Sequence, residues 1–246
     1  MRERAGDRDV MSMAMEPLYK IKVACPYCEH EFETSRVRPS LKKAYRSDSD
    51  FCGYYKNENP DFYVVRVCPS CGFAFTEHSV TSLNDAQRAA FHDQVGRRWN
   101  TRDFGGARRL EEALETYKLA LLCAQAIREK DRIVASLLQH IAWLYRYQND
   151  AEQEQRFLEY SLEAYVRCYE YEGFTGNDAR LLYLIGELNR RVGRYREAVQ
   201  WFSRVVQDQK ITDAAMIRAS REQWALLREQ MMAEGTQRET DAPASS

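Results

Sequence analysis

Two Cys-x-x-Cys pairs, Cys25-Pro26-Tyr27-Cys28 and Cys68-Pro69-Ser70-Cys71, carry the chemistry that this sequence makes visible. Each pair holds two sulfurs on one tight turn, where backbone N–H groups stabilise them, and four thiolates are a full tetrahedral set for one Zn²⁺. A zinc ion held by four cysteines is closed: no coordination position is left for water or substrate, so the expected role is structural. Exchange of a thiolate for His30 or His78 would change that, but the spacing does not require it. Cys52 stands apart in Asp48-Ser49-Asp50-Phe51-Cys52-Gly53-Tyr54-Tyr55. It reads either as an extra, exchangeable ligand or reactive thiol, or as a small buried residue among aromatics. Cys123 and Cys168 fall on apolar helical faces and read as packing residues.

To bring four sulfurs together, each pair must sit between strands. A β-branched run precedes each one (Ile21 to Val23, Val64 to Val67), and Gly72 follows the last cysteine, the strand–knuckle–strand layout of a zinc ribbon. The 39 residues between Cys28 and Cys68 exceed the roughly 15–20 of a compact ribbon. The insertion is therefore expected to fold back on itself around Phe51, Tyr54, Tyr55, Phe62 and Tyr63, which read as core packing in preference to a ligand or peptide groove. Asp48 and Asp50 read as turn or solvated-loop residues in preference to a hard-cation site.

The text changes character near residue 80. The expected organisation is a disordered leader at 1–16, a β-rich zinc-ribbon-like module at 17–80, and a connecting helix and loop at 81–106. A helical domain at 107–232 and a disordered tail at 233–246 complete it. Asn84-Asp85 caps the connecting helix and Gly105-Gly106 breaks the chain. Between 107 and 231 apolar residues recur at three- and four-residue steps, as in Leu110, Leu114, Tyr117, Leu121 and in Leu181, Leu184, Leu188. Such stripes predict about six amphipathic helices in antiparallel pairs, with breaks at Lys130-Asp131, Asn149-Asp150, Gly173 to Asn177, Gly193 and Thr212-Asp213. The run Leu182, Ile185-Gly186, Gly193, Tyr195, Ala198, Phe202 resembles the tetratricopeptide pattern, in which a glycine step lets two helices approach; it departs at Asn189 and Lys210. The fold class is thus mainly α, a small β-rich module followed by a tetratricopeptide-like array.

Composition narrows the function classes. The chain of 246 residues is 44% hydrophobic and has a net charge of −1, so bulk electrostatics recruit neither nucleic acid nor an anionic membrane. The longest apolar run, Leu119 to Ala124, is far short of a membrane span. The N-terminus lacks the apolar stretch of a secretory signal, and doublet-spaced cysteines suit a reducing cytoplasm. The stretch 36–46 carries Arg36, Arg38, Lys42, Lys43 and Arg46 with no acid, but residues 17–80 hold nine basic against eight acidic residues. There is no Gly-x-x-x-x-Gly-Lys loop, nucleophile elbow or His-Glu-x-x-His, and no histidine has a companion at triad spacing. His92 and His140 read as structural histidines, and Arg190-Arg191 with the tyrosines at 165–171 as packing rather than a concave binding face.

Taken together, Cys25 to Cys28, Asp48 to Cys52, Tyr55-Lys56, Asn59-Pro60, Val67 to Ala74, Tyr117 to Leu122, Ala142 to Arg146 and Ile185 to Arg191 resemble an uncharacterised family of bacterial cytoplasmic proteins, a domain of unknown function. The resemblance covers most of residues 17–210. It implies a zinc-ribbon-like module fused to tetratricopeptide-type helices with Cys25, Cys28, Cys68 and Cys71 as ligands, and it adds weight to the Cys52 segment. The expected function is a non-enzymatic, cytoplasmic zinc-binding adaptor with one structural Zn²⁺, whose helices bind a partner protein or peptide. A thiol redox or metal-sensing protein using the cysteine pairs and Cys52 is the alternative. Nucleic-acid binding through 36–46 is a weaker one.

Overall fold

Alternating residues between Leu18 and Val37 pair as a hairpin, and every later element is helical or short. The computed structural model describes residues 16–171 and 179–240, with 233–240 described by backbone alone. Strand β1 (Leu18–Ala24) runs antiparallel to β2 (Glu31–Val37), with Leu18 opposite Val37 and Ala24 opposite Glu31. Phe32 and Thr34 point into the protein and their neighbours Glu31 and Glu33 point out, the alternation of a half-buried strand. Two minimal hairpins follow, β3 (Arg46–Ser47) with β4 (Gly53–Tyr54) and β5 (Arg66–Val67) with β6 (Ala74–Phe75).

Seven helices occupy the remainder of the described chain: α1 (Asp85–Gln94), α2 (Leu110–Ala126), α3 (Asp131–Tyr147), α4 (Ala151–Tyr171), α5 (Ala179–Arg191), α6 (Tyr195–Gln207) and α7 (Ala214–Thr240). The protein is mainly helical, as the stripes predict. Asn84 caps α1 in a reciprocal box with Gln87, satisfying two donors that the helix start leaves unpaired.

Three helix-to-helix turns share one physical device. Arg128, Asn149 and Gly193 adopt positive φ (52°, 58° and 79°). The next residue's N–H then reaches back five positions: Glu129 to Ala124, Asp150 to Tyr145 and Arg194 to Asn189, at 2.8–3.0 Å. This is the left-handed cap that satisfies the last carbonyls of a helix and reverses the chain. Asn149 and Gly193 announce such caps in the sequence; Arg128 does not, since it adopts the conformation without glycine's freedom.

The core passes from element to element. One cluster joins Phe32, Val67, Phe73 and Phe91 to Tyr117, Ala120 and Ile141, so the β-rich module and α2–α3 share apolar packing. A second joins α3, α4 and α5, and a third joins α5, α6 and α7. In the tetratricopeptide-like pair α5–α6 the glycine step is physical: a Cβ on Gly186 would meet the Phe202 ring at 2.8 Å.

The insertion between the cysteine pairs folds back on itself, returning Cys68 to Cys28, and the tip of its β3–β4 hairpin reaches onto α3 and α5. Helix α7 continues to Thr240, into the segment expected as a tail, because Gly235 is a single breaker within good helix formers. The expected leader at 1–15, the break at 173–177 and residues 241–246 lie outside the described residues.

Candidate metal centre

Cys25 to His30 forms the tip of the β1–β2 hairpin, and Cys68 to Phe73 that of β5–β6. Both tips close identically. The Cys25 N–H donates to the His30 carbonyl (3.0 Å) and the Glu29 N–H to the Cys25 carbonyl (2.9 Å). In the second tip the Cys68 N–H donates to Phe73 (3.0 Å) and the Gly72 N–H to Cys68 (2.9 Å). The residue after each second cysteine takes a positive φ, 61° at Glu29 and 76° at Gly72. Only the second position announces this in sequence.

The two tips face each other. Cys25 Sγ lies 3.6 Å from Cys71 Sγ, and Cys28 Sγ 3.6 Å from Cys68 Sγ. All four sulfurs fall within 4.8 Å of one another. Sulfurs held about 2.3 Å from a central ion sit about 3.8 Å apart in a tetrahedron, so the set fits one metal ion. Neither His30 nor His78 belongs to it. Hydrogen bonds from the Cys25 and Cys71 thiols draw Cys68 down, while Cys25 is pushed up by its contact with Cys68, and Cys71 by its contacts with Cys25 and then Cys68. A bound cation would supply the charge that lets all four ionise.

Helical residues brace the tips. Tyr27 packs edge-on against Phe91 of α1 at 4.5 Å, and Arg88 donates to the Tyr27 carbonyl. Trp99 Nε1 donates to the Pro69 carbonyl at 2.9 Å, and its indole fills the space in which Gly72 would carry a side chain. Cys123 of α2 accepts the Ala74 N–H at 3.4 Å. Cys123 is therefore a packing residue with a specific partner.

Cys52 belongs elsewhere. It is fully buried and outside the four-sulfur cluster; its thiol donates to Tyr147 Oη at 3.4 Å. Burial pushes the thiol up to about 12, so its nucleophilic thiolate is scarce. The geometry gives neither an extra ligand nor a reactive thiol, and the burial and aromatic contacts of the plainer reading are what the structure holds.

Sequence reasoning missed what surrounds Cys52. Asp50 is 0% exposed and takes a bidentate pair from Arg146 (2.7 and 3.0 Å), with Arg191 at 3.3 Å and Trp143 Nε1 donating at 3.0 Å. Burial alone would raise its carboxyl; the Arg146 hydrogen bonds and the two guanidinium charges outweigh that and hold it below the ordinary range. Its neighbour Ser49 donates to the buried Glu187 (2.6 Å), which also takes Arg190 and Arg191. Tyr183 Oη donates to the Ser49 carbonyl (2.8 Å), and Phe51 lies against the Tyr183 ring under the Arg180 guanidinium. Asp48 and Asp50 do sit at a turn, where the Phe51 N–H donates to the Asp48 carbonyl at 2.9 Å. Their carboxylates join an ion network with Arg146 and Arg191 in place of the solvated loop, the other expectation. Phe51, Tyr54 and Phe62 pack on Tyr183 and Tyr147 of the helices, not around the metal site. The available signal was a charge inside an apolar helical stripe: Glu187 follows Ile185-Gly186, and Arg146 closes Ala142 to Tyr145.

In the basic stretch, Arg36 pairs with Glu77, and Arg46 contacts Asp48 and stacks on Tyr54. No helix of the described chain is long and apolar enough to cross a membrane.

The arrangement defines a mainly helical protein with four cysteines at its β-rich end, close enough together to hold a metal ion. The family described as uncharacterized protein conserved in bacteria (DUF2225) matches residues 18–227, and the chain belongs to it. Neither a curated protein nor a solved structure matches the chain.

Proposed function

We propose that the protein is a non-enzymatic, cytoplasmic zinc-binding adaptor. The observation that carries the metal half is the four-sulfur set: soft thiolates at tetrahedral spacing favour Zn²⁺, and a site filled by protein sulfur stabilises a fold rather than activating a substrate. The thiol redox alternative draws no support from Cys52, whose thiol is buried and pushed up to about 12. The basic residues Arg36 and Arg46 are engaged with acids, which lends nothing to nucleic-acid binding.

The adaptor half rests on how the array receives residues 48–51. An acidic–aromatic segment lies across α3 and α5 with its charge on Arg146 and Arg191 and its ring on Tyr183. In our reading, a partner protein presents a segment of this same chemistry and exchanges with the resident one. The resident segment competes as a tethered ligand at millimolar effective concentration, so exchange needs a partner held by further contacts. A peptide with the sequence of residues 46–54, added to the Asp50→Ala variant, should bind and raise its melting temperature, and the same peptide with Asn for its second Asp should not. Equal behaviour of the two peptides, or binding by neither, overturns the adaptor half. Zinc content is a separate readout: about one zinc per chain, lost in Cys71→Ser, supports the metal half, and no zinc in the purified wild-type chain overturns it.

A further inference from the structure

A cavity of about 580 Å³ opens between Val64 and Thr76–His78 of the β-rich end, helix α3 and the start of α5. This lies within the roughly 300–1,000 Å³ of small-ligand pockets. Its inner wall is apolar, built by Val64, Leu137, Leu181 and Leu184, and an exposed cation, Arg180, stands in its lining. The acid in the lining, Glu77, is already paired with Arg36 and Arg66, so its charge is compensated. The Arg180 guanidinium lies 4.2 Å from the Phe51 ring centroid. A guanidinium stacked by its face keeps its in-plane N–H fork for an anion.

One wall of the cavity is rigid. His140 donates from Nδ1 to the Ser136 carbonyl at 2.8 Å, and its ring lies between Tyr117 (5.3 Å) and Trp143 (4.5 Å). Behind it, 3.9 Å from Nε2, is Asp61, whose Oδ2 is buried without a hydrogen-bond partner among the described residues. Burial pushes the Asp61 carboxyl up, against the pull of His140.

We propose that this cavity binds a small amphipathic monocarboxylate, its carboxylate on Arg180 and its hydrocarbon body against Val64, Leu137, Leu181 and Leu184. The chemistry is complementary to that class: an apolar wall with an exposed guanidinium in the lining.

Isothermal titration of the full-length, metal-replete protein with decanoate, and with decanol as the uncharged control, tests it. Saturable one-site decanoate binding is expected, at least tenfold tighter than decanol and weakened about tenfold or more by Arg180→Gln. Arg180 is exposed, so that variant should keep the fold. Ser136→Trp, which fills the cavity without changing charge, should abolish binding, with far-UV circular dichroism to verify that it folds. Equal affinity for decanoate and decanol, an unchanged constant in Arg180→Gln, or no saturable binding to the wild type would each overturn the assignment.

Discussion

Asp50 is the residue on which most depends, because removing it leaves Arg146 charged and buried without its main partner. Asp50→Ala should lower unfolding free energy by about 3–5 kcal/mol, the usual cost of halving a buried pair, measured by chemical denaturation. The pH dependence has a defined sign. The folded carboxyl is held below its unfolded value of about 3.9, so its contribution is complete above that pH and is lost as pH falls through the folded value. An acid titration of stability should steepen below about pH 4 in the wild type and less so in Asp50→Asn. Cys52 gives a second test at this scale. With a thiol pushed up to about 12 and no exposure, it should be alkylated at neutral pH only as fast as the chain unfolds. Labelling of native Cys52 faster than global unfolding would refute its burial.

At the scale of elements, the α5–α6 contact is the sharpest. The Phe202 ring is fully buried and cannot yield to a methyl group at Gly186, so Gly186→Ala should cost about 1–3 kcal/mol by overpacking. Phe202→Leu in the same chain should recover part of that loss. A neutral Gly186→Ala would mean that the helices separate freely. This contact was legible in the sequence, as were the cysteine-bearing tips, because each is written in neighbouring residues: glycine and aromatic at helical spacing, or two cysteines on one turn. The β3–β4 hairpin was not. Its partners on α3 and α5 lie 89 and more positions away, and no local pattern encodes which arginine an aspartate will find. Glu29 and Arg128 illustrate the same limit, since both adopt positive φ by context rather than by residue type.

For the whole molecule, the shared core predicts cooperativity. Residues of the metal-binding end pack in one cluster with α2 and α3, so metal loss should be felt by the helices. Chelation, or Cys25→Ser or Cys71→Ser, should lower the melting temperature of the far-UV signal along with the near-UV signal, in one transition. A helical transition that stays at the wild-type temperature would show that the two ends are energetically separate. By the same reasoning, a fragment starting at residue 107 would expose Ala113, Tyr117 and Ala120 and should aggregate.

The position of Asp50 along the chain adds a consequence of another kind. It lies inside the loop whose ends, Cys28 and Cys68, are 40 residues apart and meet at the metal centre. Clasping those ends turns an open strand of polymer into a ring and shrinks the volume that Asp50 must search before it meets Arg146. A metal ion held by the four cysteines would thereby strengthen the Asp50–Arg146 pair without touching it. The means is neither field nor strain but the statistics of a tethered chain.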